Sequence, residues 1–246
     1  MDRALVKATG RAAFKANYMY CVVMTLILGL TSGGGGASYS ISNSFKSGSS
    51  DADASTATDM LHDENFWKGF LFLLPLFIGF FLVALTIGLA LRFLFLNPLQ
   101  VGALGFFRAN IMREDANVSM IGIGFKRDSY KRNVASMFYQ SLFVFLWSLL
   151  FIIPGIVKSY SYMLVPYILA EDPSVPAMEA LKRSEQIMEG HKMEAFILDL
   201  SFIGWHLLSV LTLGILELFY VAPYQHSTNA AYYTALLGQT PRNLSI

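Results

Sequence analysis

The chain has 246 residues, of which 54% are hydrophobic and only 14% are charged, whereas soluble domains carry about 25% charged residues. This surplus of apolar side chains excludes an ordinary water-soluble domain and predicts a membrane protein, because spanning helices satisfy their backbone internally and need no polar outer face. The net charge of +1 gives no general attraction to nucleic acid, and the single cysteine excludes an intramolecular disulfide framework.

The first apolar segment, residues 14–31, follows a basic stretch that is itself helix-forming. Its strongest part, YMYCVVMTLILGL, is short for a span, which needs roughly 20 mainly apolar residues. A basic start, a short apolar core and the small residues SGGGGA are also typical of a cleaved signal peptide, but basic residues spread over a whole preceding helix favour a span. Residues 32–64 are rich in Ser, Gly and Asp and predict a flexible loop, because their few apolar side chains cannot offset the entropy of ordering.

The second predicted span covers residues 66–96. As a helix it is about 45 Å long, so it must tilt or place Arg92 among the headgroups. Asn97 and Pro98 predict a break in the helix, and the short, glycine-interrupted LQVGALGFFRANI after them predicts an interfacial or partly re-entrant helix. The stretch MREDANVSMIGIGFKRDSYKRN then predicts an exposed basic connection.

The third predicted span covers residues 134–153, and Pro154 and Gly155 after it predict a turn or a sharp kink. Residues 156–170 then have two interpretations. They return across the membrane, or they continue the third helix past a proline kink, and this choice separates six spans from five.

Residues 174–190 have the pattern of an amphipathic helix, with Ser174 as N-cap and Gly190 as a stop. They predict a helix at the membrane surface. The last two spans are residues 193–213 and 215–237.

The basic residues predict an orientation in the membrane. In the six-span arrangement fifteen Lys and Arg residues fall on one side and three on the other. The positive-inside rule therefore places both termini in the cytoplasm and residues 32–64 outside. A five-span arrangement would place the tail outside and weaken the bias.

Several stretches carry a resemblance to a known family. The stronger ones are FLWSLLFIIPGIVKSYSYMLVPYILAEDP, EALKRSEQIMEGHK, LDLSFIGWHLLSVLTLGI and APY, and the weaker ones are RAAFKANY and NPLQVGALGFF. They resemble a family of bacterial multi-pass membrane proteins catalogued as domain of unknown function 975, which is distantly similar to the membrane portion beside some glycerophosphodiester phosphodiesterases. The catalytic barrel of those enzymes has no counterpart in this sequence. The resemblance implies a helical membrane fold and a location in the bacterial membrane. It implies no activity.

Four ionisable side chains in the predicted spans form a candidate polar site: Asp199, His206, Glu217 and Lys158. Asp199 and His206 are seven residues apart and share one helical face, which Ser209 extends. Such groups are costly in a span and usually point inward, so they are candidates for a proton relay or an ion site. Alternatively, Asp199 bonds a neighbouring helix and His206 packs on aromatic rings. Glu217 and Lys158 each follow an outer turn, which predicts an ion pair between them.

Basic residues form two clusters that are candidate contacts for anionic lipid headgroups. Each Lys or Arg near an anionic membrane surface contributes on the order of 1 kcal/mol of attraction. The clusters are Arg3, Lys7, Arg11 and Lys15 along one helical face, and Lys126, Arg127, Lys131 and Arg132 farther along the chain. Alternatively, the clusters only fix the orientation of the protein. No pattern predicts a catalytic site, a cofactor or a metal, because the sequence has no HExxH, no cysteine cluster, no Walker loop and no GxSxG.

Taken together, these features predict an all-α fold, a polytopic transmembrane helix bundle of about six spans with interfacial amphipathic helices, forming one membrane domain over residues 1–246. The leading functional interpretation is a non-enzymatic accessory or scaffold component of the bacterial cytoplasmic membrane, whose partners are lipid and another membrane protein. The alternative is a small-solute permease or exporter that uses Asp199, His206, Gln140 and Tyr160. An intramembrane enzyme is a third interpretation.

Overall fold

The computed structural model describes residues 3–31, 64–112 and 116–239, which are helical almost throughout and contain no strand. This confirms the all-α class. Within these residues, four helical stretches have the length and hydropathy of membrane spans, namely Leu71–Met112, Arg127–Leu150, Ile152–Glu171 and Lys192–Leu211. A fifth is added if the bent pair Arg3–Ala16 and Tyr18–Gly29 counts as one span. The loop predicted at 32–64 lies outside the described residues, apart from Glu64.

The chain divides into two compact units, residues 36–92 and the remainder. The described part of the smaller unit is helix α3 (Glu64–Leu91), which contains Pro75. Its most apolar stretch has no buried residue, and side chains such as Phe72 and Phe80 are largely exposed. A helix that is apolar on all sides is suited to surroundings of lipid or of other apolar helices.

In the larger unit, α1 (Arg3–Ala16) and α2 (Tyr18–Thr31) meet at a bend of 104°. The buried amide of Asn110 holds this corner. Its Oδ1 accepts a hydrogen bond from Asn17, and its Nδ2 donates to the carbonyl of Ala13 at 2.9 Å. The apolar segment predicted to begin at residue 14 is therefore divided between two helices.

Helix α4 (Asn97–Met112) follows a π-helical turn, Arg92–Leu96, so the break predicted at Asn97 and Pro98 is wrong. Pro98 has no N–H and leaves a carbonyl of the preceding turn without its usual donor. The hydroxyl of Tyr130 donates to the carbonyl of Leu94, four residues before Pro98, at 2.8 Å. A side chain from another helix thus supplies the bond that the proline removes.

Of the two interpretations of α4, the interfacial helix is wrong, because its residues are buried on nearly every side. The partly re-entrant helix stays a prediction. The glycines of α4 allow neighbouring backbones to come close. A Cβ on Gly102 would lie 2.3 Å from the carbonyl oxygen of Ile121, and a Cβ on Gly105 would lie 2.9 Å from the Cβ of Ala170. The glycines that suggested an interrupted helix therefore mark packing contacts at the centre of the unit.

A 3₁₀ helix, Val118–Phe125, lies against α4 in the connection that was predicted to be exposed. Asn117 caps it by accepting a hydrogen bond from the N–H of Ser119 at 3.1 Å. Gly124 is buried where a Cβ would lie 1.8 Å from the carbonyl oxygen of Pro98. Part of this connection is thus packed structure rather than a free loop.

Helices α5 (Arg127–Leu150) and α6 (Ile152–Ser161) form an antiparallel hairpin around the extended residue Phe151. Contacts run down its length in antiparallel order. The Lys158 ammonium lies 5.6 Å from the centroid of the Trp147 ring, and the rings of Phe143 and Tyr162 are 6.4 Å apart. The chain therefore returns along α5 instead of continuing past a kink.

A short gap separates α6 from α7 (Val165–Glu171), and Pro166 is the second residue of α7. Ser184, fully buried on helix α8 (Ala177–Ile187), closes the gap. Its hydroxyl donates to the carbonyl of Ser161 at 2.7 Å and accepts from the N–H of Leu164 at 3.3 Å.

The N-cap predicted at Ser174 is not formed, because α8 begins at Ala177 with Pro176 in the capping position. Ser174 instead donates its N–H and its hydroxyl to Asp172. These hydrogen bonds hold the pKa of the Asp172 carboxyl below its usual range.

The last hairpin joins α9 (Lys192–Leu200) and α10 (Ile203–Leu211) to a helix over residues 215–236. The returning helix contains a π-helical turn, Glu217–Val221, followed by α11 (Ala222–Leu236). Leu213 and Gly214 take positive φ values of 52° and 84° at the turn, a conformation that glycine adopts without steric cost. The returning helix is not among the described stretches with the hydropathy of a span.

Candidate functional site

Asp199 joins three helices of the larger unit. Its Oδ2 accepts a hydrogen bond from the Tyr160 hydroxyl on α6 at 3.1 Å, and its Oδ1 accepts one from Gln225 Nε2 on α11 at 3.3 Å. The carboxylate is only partly buried, and each of its oxygens has a protein donor. This is the arrangement in which a polar group holds neighbouring helices together.

His206 and Glu217 pair across the last hairpin, with 3.0 Å between Nδ1 and Oε2. Their side chains are 40% and 27% exposed, so the pair lies at the edge of the packed bundle. The aromatic rings of Trp205 and Tyr220, 5.5 Å apart, lie beside this pair in the same hairpin.

Asp199 and His206 both bond to the returning helix, Asp199 to Gln225 and His206 to Glu217. Their side chains therefore point in the same direction. The last hairpin has two arms, one formed by α9 and α10 and the other by the returning helix. A third connection joins them, in which the Tyr232 hydroxyl donates to the carbonyl of His191 at 2.9 Å. We call these three connections the polar ladder. Ser209 does not extend it, since its hydroxyl donates to the carbonyl of Trp205 in its own helix.

The ion pair predicted between Lys158 and Glu217 is wrong. Lys158 pairs with Glu185 of α8, and Glu217 pairs with His206. The prediction compared only the depths of the two side chains, and equal depth does not fix the direction in which each helix presents its side chain.

Residues 54–240 match the family described as "Protein of unknown function (DUF975)". The chain belongs to this family. The match includes every residue of the polar ladder. It begins at residue 54 and therefore includes neither α1 nor α2. No curated protein and no solved structure matches the chain, and the likeness to the membrane portion of glycerophosphodiester phosphodiesterases stays a prediction.

The DUF975 match also contains a polar cluster that the sequence analysis missed. Glu171, at the end of α7, accepts hydrogen bonds from Arg108 at 2.8 Å and from the Tyr233 hydroxyl at 2.6 Å. Gln239 donates to the same carboxylate at 3.4 Å. Arg108 is the one charged residue within the stretch NPLQVGALGFFRANIM, and this isolation was the signal available in the sequence.

Gln140, which the permease interpretation included, lies on α5. Its Oε1 is buried, and no hydrogen-bond partner for that atom lies among the described residues. Of the other residues named in that interpretation, Tyr160 donates a hydrogen bond directly to Asp199. His206 points in the same direction as Asp199 and bonds to Glu217. Within the described part of the chain, no group of three or more His, Cys, Asp or Glu side chains could hold a metal ion.

The two basic clusters have different surroundings. Lys7, Arg11 and Lys15 line a groove between α1 and Tyr224. The other cluster lies around the start of α5, where Lys126, Arg127 and Lys131 are exposed and Arg132 is partly buried. Arg3 is exposed at the first turn of α1 and is not among the residues that line the groove.

Proposed function

We propose that this DUF975 protein is a non-enzymatic accessory or scaffold component of the bacterial cytoplasmic membrane. One observation carries the proposal: the ionisable side chains of the predicted site are paired with side chains of neighbouring helices. Asp199 has Tyr160 and Gln225, His206 has Glu217, and Lys158 has Glu185.

A transport site needs polar groups that release one partner and take another as the solute passes. In this protein the same groups join α6, α8, α9, α10 and the returning helix. Bonds of this kind, together with small residues at close helix contacts, stabilise a bundle in lipid. The arrangement supports a rigid membrane body that presents its outer surface to other proteins.

The orientation we propose has both termini in the cytoplasm. The six-span arrangement assigns fifteen of the eighteen Lys and Arg residues to the cytoplasmic side. Lys158, one of the three assigned to the outer side, contacts Glu185 of α8 and so lies at the level of that helix. The positive-inside rule supports this orientation, since basic residues in short connections are retained on that side.

The proposal is tested by purifying the full-length protein from native membranes in two mild detergents and quantifying the proteins that accompany it. We expect one membrane protein at a constant ratio in both detergents. The variant Asp199→Asn should keep that ratio, because an amide still offers an acceptor to Tyr160. The absence of any companion at a fixed ratio contradicts the scaffold proposal.

A second candidate function is a small-solute permease, favoured by the partial exposure of the His206–Glu217 pair at 40% and 27%. Solute uptake into vesicles that contain the protein separates the two candidates. If Asp199→Asn folds normally, keeps any companion and abolishes uptake of a solute, the permease is correct and the scaffold is not. Uptake that is equal with and without the protein contradicts the permease.

A further inference from the structure

Helix α1 has one face fixed against the rest of the unit. Val6, Gly10, Ala13 and Phe14 are buried on this face. The contact with α11 is closest at Gly10, where a Cβ would lie 2.7 Å from the Cα of Thr228. This close approach fixes the helix in place, and with it the basic side chains on the other faces of α1.

Beside the fixed face, an open groove of about 550 Å³ runs along α1 and is bordered by Tyr224 of α11. It is lined by Lys7, Ala8, Arg11, Ala12, Lys15 and Tyr224. The three cations follow one another at intervals of four residues, which places them in a row along one side of the helix. Ala8 and Ala12 are exposed and small, so they leave space between the long cationic side chains.

The positive charge in the groove is not neutralised by the described part of the protein. None of the ion pairs among the described residues includes Lys7, Arg11 or Lys15. The Lys7 ammonium lies 4.8 Å from the centroid of the Phe202 ring, a cation–π contact that leaves its charge in place. Like charges four residues apart destabilise a helix, so an anion in the groove would relieve their repulsion.

The bend of 104° between α1 and α2 determines where the groove lies relative to the membrane. With α2 directed into the bilayer, α1 runs along the membrane surface. Phospholipid phosphates lie at that level, and basic residues of a surface helix meet anionic headgroups there.

We propose that this groove binds the phosphate of an anionic phospholipid headgroup. Arg11, in the middle of the row, donates two N–H groups to phosphate oxygens, and Lys7 and Lys15 flank the phosphate as point charges. The site is independent of the scaffold proposal, since it uses none of the residues of the polar ladder.

The first test compares two triple variants of the full-length protein in detergent by native mass spectrometry with added phosphatidylglycerol. Lys7→Gln/Arg11→Gln/Lys15→Gln should weaken binding about 100-fold, because each cation contributes about 1 kcal/mol near anionic lipid. The control is Lys182→Gln/Arg183→Gln/Lys192→Gln, which removes the same number of cations outside the groove and outside both basic clusters. It should change the affinity less than about twofold. Equal weakening in both variants, or none in the first, overturns the proposal.

A second test keeps every charge. Ala8→Leu/Ala12→Leu fills the space between the cations without altering the basic residues that set the orientation. It should reduce phosphatidylglycerol binding at least about tenfold, whereas general electrostatic attraction would be unaffected. Unchanged affinity in this variant also overturns the proposal.

Two further ligands identify the chemistry that the groove recognises. Phosphatidylcholine, whose headgroup has no net charge, should bind the unmodified protein and the groove variant equally weakly. Inorganic phosphate at millimolar concentration should not displace phosphatidylglycerol. Displacement by inorganic phosphate would assign the groove to free phosphate and contradict a lipid site.

Discussion

At the scale of single residues, the Ser184 hydroxyl supplies bonds that a broken helix has lost. Pro166 has no N–H, and in a regular helix its ring collides with the carbonyl four residues earlier, so the chain opens between α6 and α7. Ser184 bonds the carbonyl of Ser161 and the N–H of Leu164 from a different helix. One side chain therefore satisfies two backbone groups that water does not reach.

Ser184→Ala should destabilise the protein by about 1–3 kcal/mol, because it leaves a buried donor and a buried acceptor without partners. The control is Ser159→Ala on α6, whose exposed hydroxyl donates only to the carbonyl of Ile156 in its own helix. That change should stay within about 0.5 kcal/mol. Thermal unfolding in a single detergent compares the two, and equal losses would show that Ser184 has no bridging role.

The sequence allows only part of this residue-scale picture to be predicted. The seven-residue spacing of Asp199 and His206 predicts a shared face. The two side chains lie on consecutive helices, α9 and α10, and both bond to the returning helix. The partners of Lys158 and Glu217 are predicted wrongly, because they depend on how α8 packs against α6. Ser184 gives no sequence signal, since its role exists only where two helices meet.

At the scale of elements, the 3₁₀ helix is attached to α4 by close backbone contact. Gly124 meets the carbonyl of Pro98, and Gly102 meets Ile121. Asn133 of α5 donates to the carbonyl of Gly124 at 3.0 Å. The 3₁₀ helix is therefore held on two sides. Glycine contacts hold it against α4, and the Asn133 amide holds it against α5.

Gly124→Ala should detach the 3₁₀ helix from α4, because its Cβ would collide with the carbonyl oxygen of Pro98. Steric overlap of this kind costs about 1–3 kcal/mol or more. Limited trypsin digestion should then cut faster at Lys126 and Arg127. Gly122→Ala is the matched control, since a Cβ there meets no atom within 4 Å. Equal digestion rates in the two variants would contradict this packing.

Sequence patterns predict the elements unevenly. Gly214 lies in the turn of the last hairpin, where it takes a positive φ. The turn predicted at Pro154 and Gly155 lies at Phe151 instead, because both residues belong to the first turn of α6. The interfacial position of α4 is predicted wrongly, because glycines that allow close packing and glycines that end helices look the same in one sequence. Helix α4 is central only because other elements surround it, and periodicity within α4 holds no information about them.

At the scale of the whole molecule, the proposed orientation places α8 on the cytoplasmic side. A cysteine at the exposed position Lys182 should be protected from a membrane-impermeant maleimide in intact cells and react once the membrane is opened. The buried Cys21 should stay unreactive in both states.

Ser49→Cys serves as the opposite control, because the sequence assigns residues 32–64 to the outer side. It should react in intact cells. Labelling of Lys182→Cys in intact cells would reverse the orientation that the basic residues predict.

The polar ladder also bears on how the protein is made. The helix over residues 215–236 carries Glu217, Gln225 and His226, and it is not among the described stretches apolar enough to span on their own. The arm before it supplies hydrogen-bond partners for Glu217 and Gln225. Biogenesis of this region is therefore expected to be concerted: the ribosome and translocon would release the two arms as one folded pair, whose polar side chains already bond to one another.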